Sequence, residues 1–137
     1  MKNKYLLSLL WVIVSGFGVL MAQEIAIIPQ PAHLIVKNES FKFGKQLKVC
    51  IASYRGDSVT LVFDSFKDDF QKATGIKVTS VHSEAKAGIV LSVNQTLAPE
   101  AYKLDVSPKQ IRIEAARPAG FYYALQTLKQ LISRHVM

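Results

Sequence analysis

The sequence predicts an α+β fold: a mixed or mostly antiparallel sheet with two helices packed on one face, a two-layer sandwich. Three observations lead there. Two segments, starting near Val59 and Phe121, repeat apolar residues every three or four positions, as a helix with one buried side does. Seven short segments read as strands or strand candidates by alternation or by continuous apolar runs. The strand patterns come in groups on either side of the first helix, with the second helix last, an order that suits strands in one layer and helices in another.

The chain has 137 residues, 50% hydrophobic and 20% charged, the balance of a globular chain. Its first 22 residues differ from the rest. Lys2 and Lys4 precede an apolar run from Leu6 to Leu20, and Leu20-Met21-Ala22 ends on a small residue. Residues 1–22 are therefore expected to be a signal peptide, leaving a domain over 23–137 and a secreted or periplasmic product. An uncleaved anchor is the alternative, because 5–22 approaches spanning length. Without the leader the formal charge falls from +7 to +5, since Lys2 and Lys4 leave with no acid. The remaining basic residues are scattered, with no block or aromatic interleaving, so no nucleic-acid partner is expected.

Along the mature chain, Ile25 to Ile28 leads into Pro29-Gln30-Pro31, an extended opening. His33 to Lys37 and Ser40 to Phe43 are short strand candidates around Asn38-Glu39. Gln46 to Ala52 is nearly continuous in apolar character, as a central strand is. Tyr54 to Asp57 is a loop, and Asp57 or Ser58 can cap the next helix. Val59, Val62, Phe63, Phe66, Phe70 and Ala73 form that helix's inner stripe, with Asp64, Asp68 and Lys72 opposite and Gly75 as its terminator. Ile76 to Val81 alternates, His82 to Gly88 is a loop, and Ile89 to Val93 is a buried strand. Ala101 to Val106 and Ile111 to Ala115 make a hairpin across Ser107-Pro108-Lys109-Gln110. The last helix begins near Pro118 or Ala119, with Phe121, Ala124, Leu125, Leu128, Leu131 and Ile132 facing the core.

That helix has a second distinctive side. At 100° per residue, Tyr123, Gln126, Thr127, Gln130 and Arg134 lie opposite the core stripe, and only Arg134 is charged. A polar, aromatic, nearly uncharged side suits a partly desolvated contact. Tyr123, Gln126, Thr127 and Gln130 are the candidate domain-interface residues, with an ordinary uncharged surface as the plainer alternative.

Chemical motifs are scarce. His33, His82 and His135 sit in separate elements, no His/Cys pair has ligand spacing, and no Gly-x-Ser-x-Gly elbow is present. Asp68 and Asp69 point about 100° apart on a helix, so they do not converge on one substrate. Cys50, the single cysteine, reads as a small buried hydrophobe. The sequons Asn38-Glu39-Ser40 and Asn94-Gln95-Thr96 fit the glycosylation rule. No catalytic residue, metal site or cofactor is expected.

The opening Ile27-Ile28-Pro29-Gln30-Pro31, the strand Gly88 to Val93, the hairpin, and the helix Ala119-Gly120 with Ala124-Leu125-Gln126-Thr127-Leu128 occur in a recognisable order. Together they resemble the N-terminal, non-catalytic domain of family 20 glycoside hydrolases, the β-N-acetylhexosaminidases. The resemblance implies a sheet backed by two helices and attached to a (β/α)8 barrel. In that family the barrel removes terminal N-acetylhexosamine, using the substrate's acetamide as nucleophile and an Asp-Glu pair in a His-x-Gly-Gly-Asp-Glu-like motif. This sequence lacks the motif, so the chain alone is expected to be inactive, ending where a barrel would begin. Similar domains precede the barrels of hyaluronidase-like or O-GlcNAc-removing hydrolases and of α-glucuronidases, and a free-standing accessory or glycan-binding module is a further alternative. Trp11 falls in the leader, so the mature chain has no tryptophan platform for a sugar.

Overall fold

The computed structural model describes residues 39–52 and 57–136, together with His33 and Ile35, with backbone alone for Asp57 and residues 133–136. The expected leader, the opening through Pro31, the strand His33 to Lys37, and the loop 53–56 lie outside the described residues. In chain order the elements are β1 (Gln46–Ala52), α1 (Asp57–Thr74), β2 (Lys77–Ser80), a short 3-10 turn (Glu84–Lys86), β3 (Ile89–Val93), β4 (Tyr102–Val106), β5 (Ile111–Ala115) and α2 (Pro118–Val136).

The five strands form one sheet in the order β2-β1-β3-β5-β4. β1 pairs parallel with β2 and β3, β3 pairs parallel with β5, and only β4–β5 is antiparallel. The sheet is mixed as expected, but it is mostly parallel, and the class is α/β. Three links join strands directly, and only the one between β4 and β5 is a hairpin. β1 and β2 are joined by α1, which carries the chain back as a parallel pair requires. β2 and β3 escape that requirement by stagger. Ser80, the end of β2, lies level with Val49, and so does Ile89, the start of β3. The chain has only to cross β1 sideways, and residues 81–88 suffice. The Val81 N–H donates to Val49 O at 2.8 Å and the Gly88 N–H to Lys48 O at 2.8 Å as the segment crosses.

Both helices cover the same sheet face, as the sequence predicts. Val59, Phe63, Phe66 and Phe70 of α1 and Phe121, Ala124, Leu125 and Leu128 of α2 are buried against Leu47, Val49, Val78, Ile89, Leu91, Ile111, Ile113 and Ala115. Burying each of the Val, Leu, Ile and Phe side chains contributes roughly 1.5–3 kcal/mol, so this layer dominates the fold. Asp64, Asp68 and Lys72 are exposed, as expected of α1's outer side. The helix ends at Gly75, whose φ of 70° is the left-handed conformation glycine takes freely. Its N–H donates to Gln71 O at 2.9 Å. Gln71 Oε1 then accepts the Val78 N–H at 2.7 Å, blunting the edge of β2.

Ser40 to Phe43 is not a strand. Its two phenylalanines pack on the core instead. Phe43 lies 5.4 Å from Phe70 between ring centroids, and Phe41 meets Phe43 edge-on at 5.0 Å. A Cβ at Gly88 would come within 3.0 Å of the Phe41 ring, so the glycine makes room for it. Alternation of apolar residues is equally compatible with two plugs dropped into a core rim.

The opposite sheet face is expected to be wet. Lys77 is exposed and Thr79, Arg112 and Glu114 are half-buried. The crossing segment 81–88 nevertheless roofs part of it, and Cys50, Val90 and Ala87 form a small second cluster. Cys50 is buried, as read from the sequence.

The start of α2 is the tightest contact. A Cβ at Gly120 would sit 2.5 Å from Ala101 O and 2.9 Å from the Ala115 Cβ, where helix, β4 and β5 meet. Replacing Gly120 by alanine favours a helix by about 1 kcal/mol in the open. Here the clash is with backbone and a fixed methyl, and overpacking costs about 1–3 kcal/mol. Gly120→Ala is therefore expected to lower the urea-unfolding midpoint, and an unchanged or raised midpoint would show that the helix is not seated this closely.

The two helices are linked by Lys129 Nζ and Asp69 Oδ2 at 2.7 Å. Lys129's hydrogen bond, then its charge, hold the exposed Asp69 carboxyl below the usual aspartate value, with Lys72 adding less. A depressed folded-state pKa gives stability that is present above the unfolded-state value and lost as pH falls through the folded one. Lys129→Met should raise Asp69's midpoint in an NMR titration. Its stability deficit relative to the parent should be small, present at neutral pH, and absent once Asp69 is protonated.

Candidate domain interface

α2 turns its inner stripe to the sheet and leaves a row of side chains facing outward. Tyr122 is 48% exposed and Tyr123 39%, and their rings meet edge-on with centroids 5.6 Å apart. Gln126 and Gln130 are half-buried. Three of the four candidate interface residues, Tyr123, Gln126 and Gln130, thus lie off the core at the helix surface. The fourth does not. Thr127 is 5% exposed, and its Oγ1 lies 2.7 Å from the Tyr102 hydroxyl on β4. Ideal helical angles put Thr127 outside, but α2 lies beside the edge strand, and Tyr102 reaches up to cover its flank. Thr127 fastens α2 to its own sheet. The side chain of Arg134 lies outside the described residues.

Two further residues belong to this surface and are not singled out by the sequence reading. Tyr122 is one turn-step beyond Phe121 and sits on the flank of the stripe. Leu61 of α1 is 68% exposed, midway between the buried Val59 and Phe63. A single exposed leucine is ordinary. Its level on the helix gives it meaning. α1 and α2 each return from a strand of the parallel set, so they run in the same direction, and Asp69 and Lys129 join them near two-thirds of their lengths. Leu61 and the tyrosine pair both lie in the second turn of their helices, on the side away from the sheet. The signal for Leu61 was available: it is a large apolar residue off its helix's stripe.

The surface grades from apolar to charged. Its N-terminal end carries Leu61, Tyr122 and Tyr123, its middle Gln126 and Gln130, and Asp69 and Lys129 neutralise each other between the helices. An exposed apolar area with aromatic residues and a polar surround has the composition common at contact surfaces.

Chemistry elsewhere is equally sparse. Among the described residues, no three His, Cys, Asp or Glu side chains gather where they could hold a metal. His33 and His82 are exposed and far apart in sequence, and His135 has no described side chain. Asp68 is exposed while Asp69 is engaged by Lys129. Asn94 of the second sequon is committed to structure: its Nδ2 donates to Glu114 Oε2 at 2.8 Å, and its Oδ1 accepts from the Thr96 N–H at 3.1 Å and hydroxyl at 2.6 Å. Asn38 lies outside the described residues. No helix among the described residues is long and apolar enough to cross a membrane.

Known proteins share this arrangement. The family model described as glycosyl hydrolase family 20, domain 2, matches residues 24–136. A β-hexosaminidase of Vibrio furnissii is 29% identical over 111 residues, which make up 81% of this chain and 17% of that protein. A family 20 exo-β-N-acetylglucosaminidase of Vibrio harveyi superposes with a TM-score of 0.65 at 34% identity, over 75% of this chain and 15% of its own. An N-acetyl-β-hexosaminidase of Streptomyces plicatus superposes with a TM-score of 0.64 at 28% identity, over 77% of this chain and 21% of its own. The chain thus spans about a fifth or less of these relatives, which carry the domain alongside a catalytic domain. Among the hydrolase families that the α2 signature left open, the match selects one: this chain belongs to glycosyl hydrolase family 20, as its non-catalytic domain 2.

Proposed function

We propose that this chain is the N-terminal supporting domain of a secreted β-N-acetylhexosaminidase, which removes terminal N-acetylhexosamine from glycans. Its part is to seat a catalytic (β/α)8 barrel on the outer side of α1 and α2. The observation that carries this reading is the exposed tyrosine pair of α2, level with Leu61 of α1, on a domain whose relatives place it within far longer chains. The core is closed without these side chains, so their apolar area has no task inside the domain. Burying it against a barrel removes that area from water. The glycan reaches the assembly only through the barrel. Secretion rests on the basic start and apolar run of residues 1–22.

A free-standing glycan-binding module is the less favoured reading. Sugar platforms present flat aromatic rings, and among the described residues the two exposed rings are turned edge-on at 69° to one another.

Two outcomes are expected. The purified chain should not hydrolyse a nitrophenyl N-acetylglucosaminide, and turnover by clean protein would contradict the assignment. Grafted in place of the matching domain of the Vibrio harveyi enzyme, the chain should give a folded, active protein. In that graft Tyr123→Glu should lower the melting temperature by several degrees, while in the isolated domain a surface change of this kind stays within about 0.5 kcal/mol. Equal indifference in both settings would remove α2 as the seat.

A further inference from the structure

The sheet face turned away from the helices carries a feature that neither the family nor the interface explains. The crossing segment between β2 and β3 is held there mostly by side chains. Residues 82–86 are all exposed, the 3-10 turn Glu84–Lys86 buries nothing, and Ala87 is the segment's one buried residue. Beneath it lie Cys50 and Val90, flanked by Ala52 and Val81, a cluster separate from the two-helix core. The two ends are hooked to β1 by the Val81 and Gly88 amides.

The middle is latched from β5 and the turn before it. Gln110 Nε2 donates to Glu84 O at 2.8 Å and to Ala87 O at 3.0 Å. Arg112 donates to Glu84 Oε2 through both terminal nitrogens at 3.2 Å, and to Gln110 Oε1 at 3.1 Å, which orients the glutamine. Gln110 is itself fixed by the turn, where its N–H donates to the Ser107 hydroxyl and its carbonyl accepts from it.

We propose that residues 82–87 form a strap that opens by itself, uncovering Cys50 and Val90 while the two-helix core stays folded, and that Gln110 and Arg112 are its latch. The physical basis is an imbalance. The strap gives up little apolar burial when it lifts, only Ala87 and the small patch of Cys50 and Val90 beneath it, whereas unfolding the main layer exposes both helices and the sheet. Segments with few buried contacts open at lower free energy than the domain as a whole. What holds the strap is polar and at the surface, and its Arg112–Glu84 pair, with side chains 40% and 45% exposed, adds little. Gln110 is then the stronger half of the latch.

Cys50 is the chain's single cysteine, so its labelling by N-ethylmaleimide in the full chain reports the opening cleanly. Local opening exposes little surface, so the labelling rate should be flat at low urea, before the global transition begins. Gln110→Ala should raise that flat rate about tenfold, and Arg112→Gln about twofold. Tyr102→Phe, which loosens α2 on the opposite face, should lower the global unfolding midpoint and leave the flat rate unchanged. The proposal is overturned if labelling climbs with urea from the start at the slope of global unfolding. It is overturned equally if Tyr102→Phe speeds labelling as much as Gln110→Ala does, or if neither latch variant speeds it.

Discussion

The structure turns on a contact that leaves no space for a side chain. At Gly120 the first turn of α2 lies against the carbonyl of Ala101 and the methyl of Ala115, at the joint between helix and hairpin. That seating fixes where α2 starts. Seven residues on, the Thr127–Tyr102 hydrogen bond holds its flank to the edge strand. With both fixed, the helix has no freedom to roll. Phe121, Leu125 and Leu128 must enter the core, and Tyr122, Tyr123, Gln126 and Gln130 must be left at the surface. The composition of the outer side is thus a consequence of inner packing. The Gly-x-x-x-Ala-Leu-Gln-Thr-Leu pattern acquires a physical reading in which the glycine seats the helix, the leucines bury it and the threonine pins it.

Much of this was legible in the chain. The bounds of β1, β3 and β5 follow from apolar runs and alternation, and Gly75 marks the end of α1 because only a left-handed residue stops a helix there cheaply. Strand direction was not legible. It depends on how far neighbours are staggered, and stagger leaves no trace in hydropathy. A link read only as a loop, His82 to Gly88, says nothing of direction, yet with β2 ending level with the start of β3 it serves as a crossover between parallel strands. Phe41 and Phe43 misled for a related reason, since alternation describes which residues are apolar and not what they pack on.

Exposure along α2 was legible for three of the four candidate interface residues. Tyr123, Gln126 and Gln130 follow from helical angle alone. Thr127 does not, because the flank it occupies is open or closed according to whether an edge strand rises beside it. Leu61 stands out in the sequence as a large apolar residue off its stripe, but its relation to the tyrosine pair required the tertiary arrangement, since nothing in either helix separately tells that both helices run the same way. The division of labour between the faces emerges only at this stage. The helix layer ends in an aromatic patch, while the far sheet face closes its small cluster under a strap with a polar latch.

The central claim is that the outer side of the helix layer is an inter-domain seat. Hydroxyl-radical footprinting of Tyr122, Tyr123 and Leu61 tests it most directly, comparing the isolated domain with the same domain joined to a family 20 catalytic barrel. All three should be strongly modified in the isolated domain and markedly protected in the joined chain, with His82, exposed on the segment that crosses the opposite sheet face, as the internal reference. Equal modification of the tyrosines and Leu61 in both proteins would contradict the account.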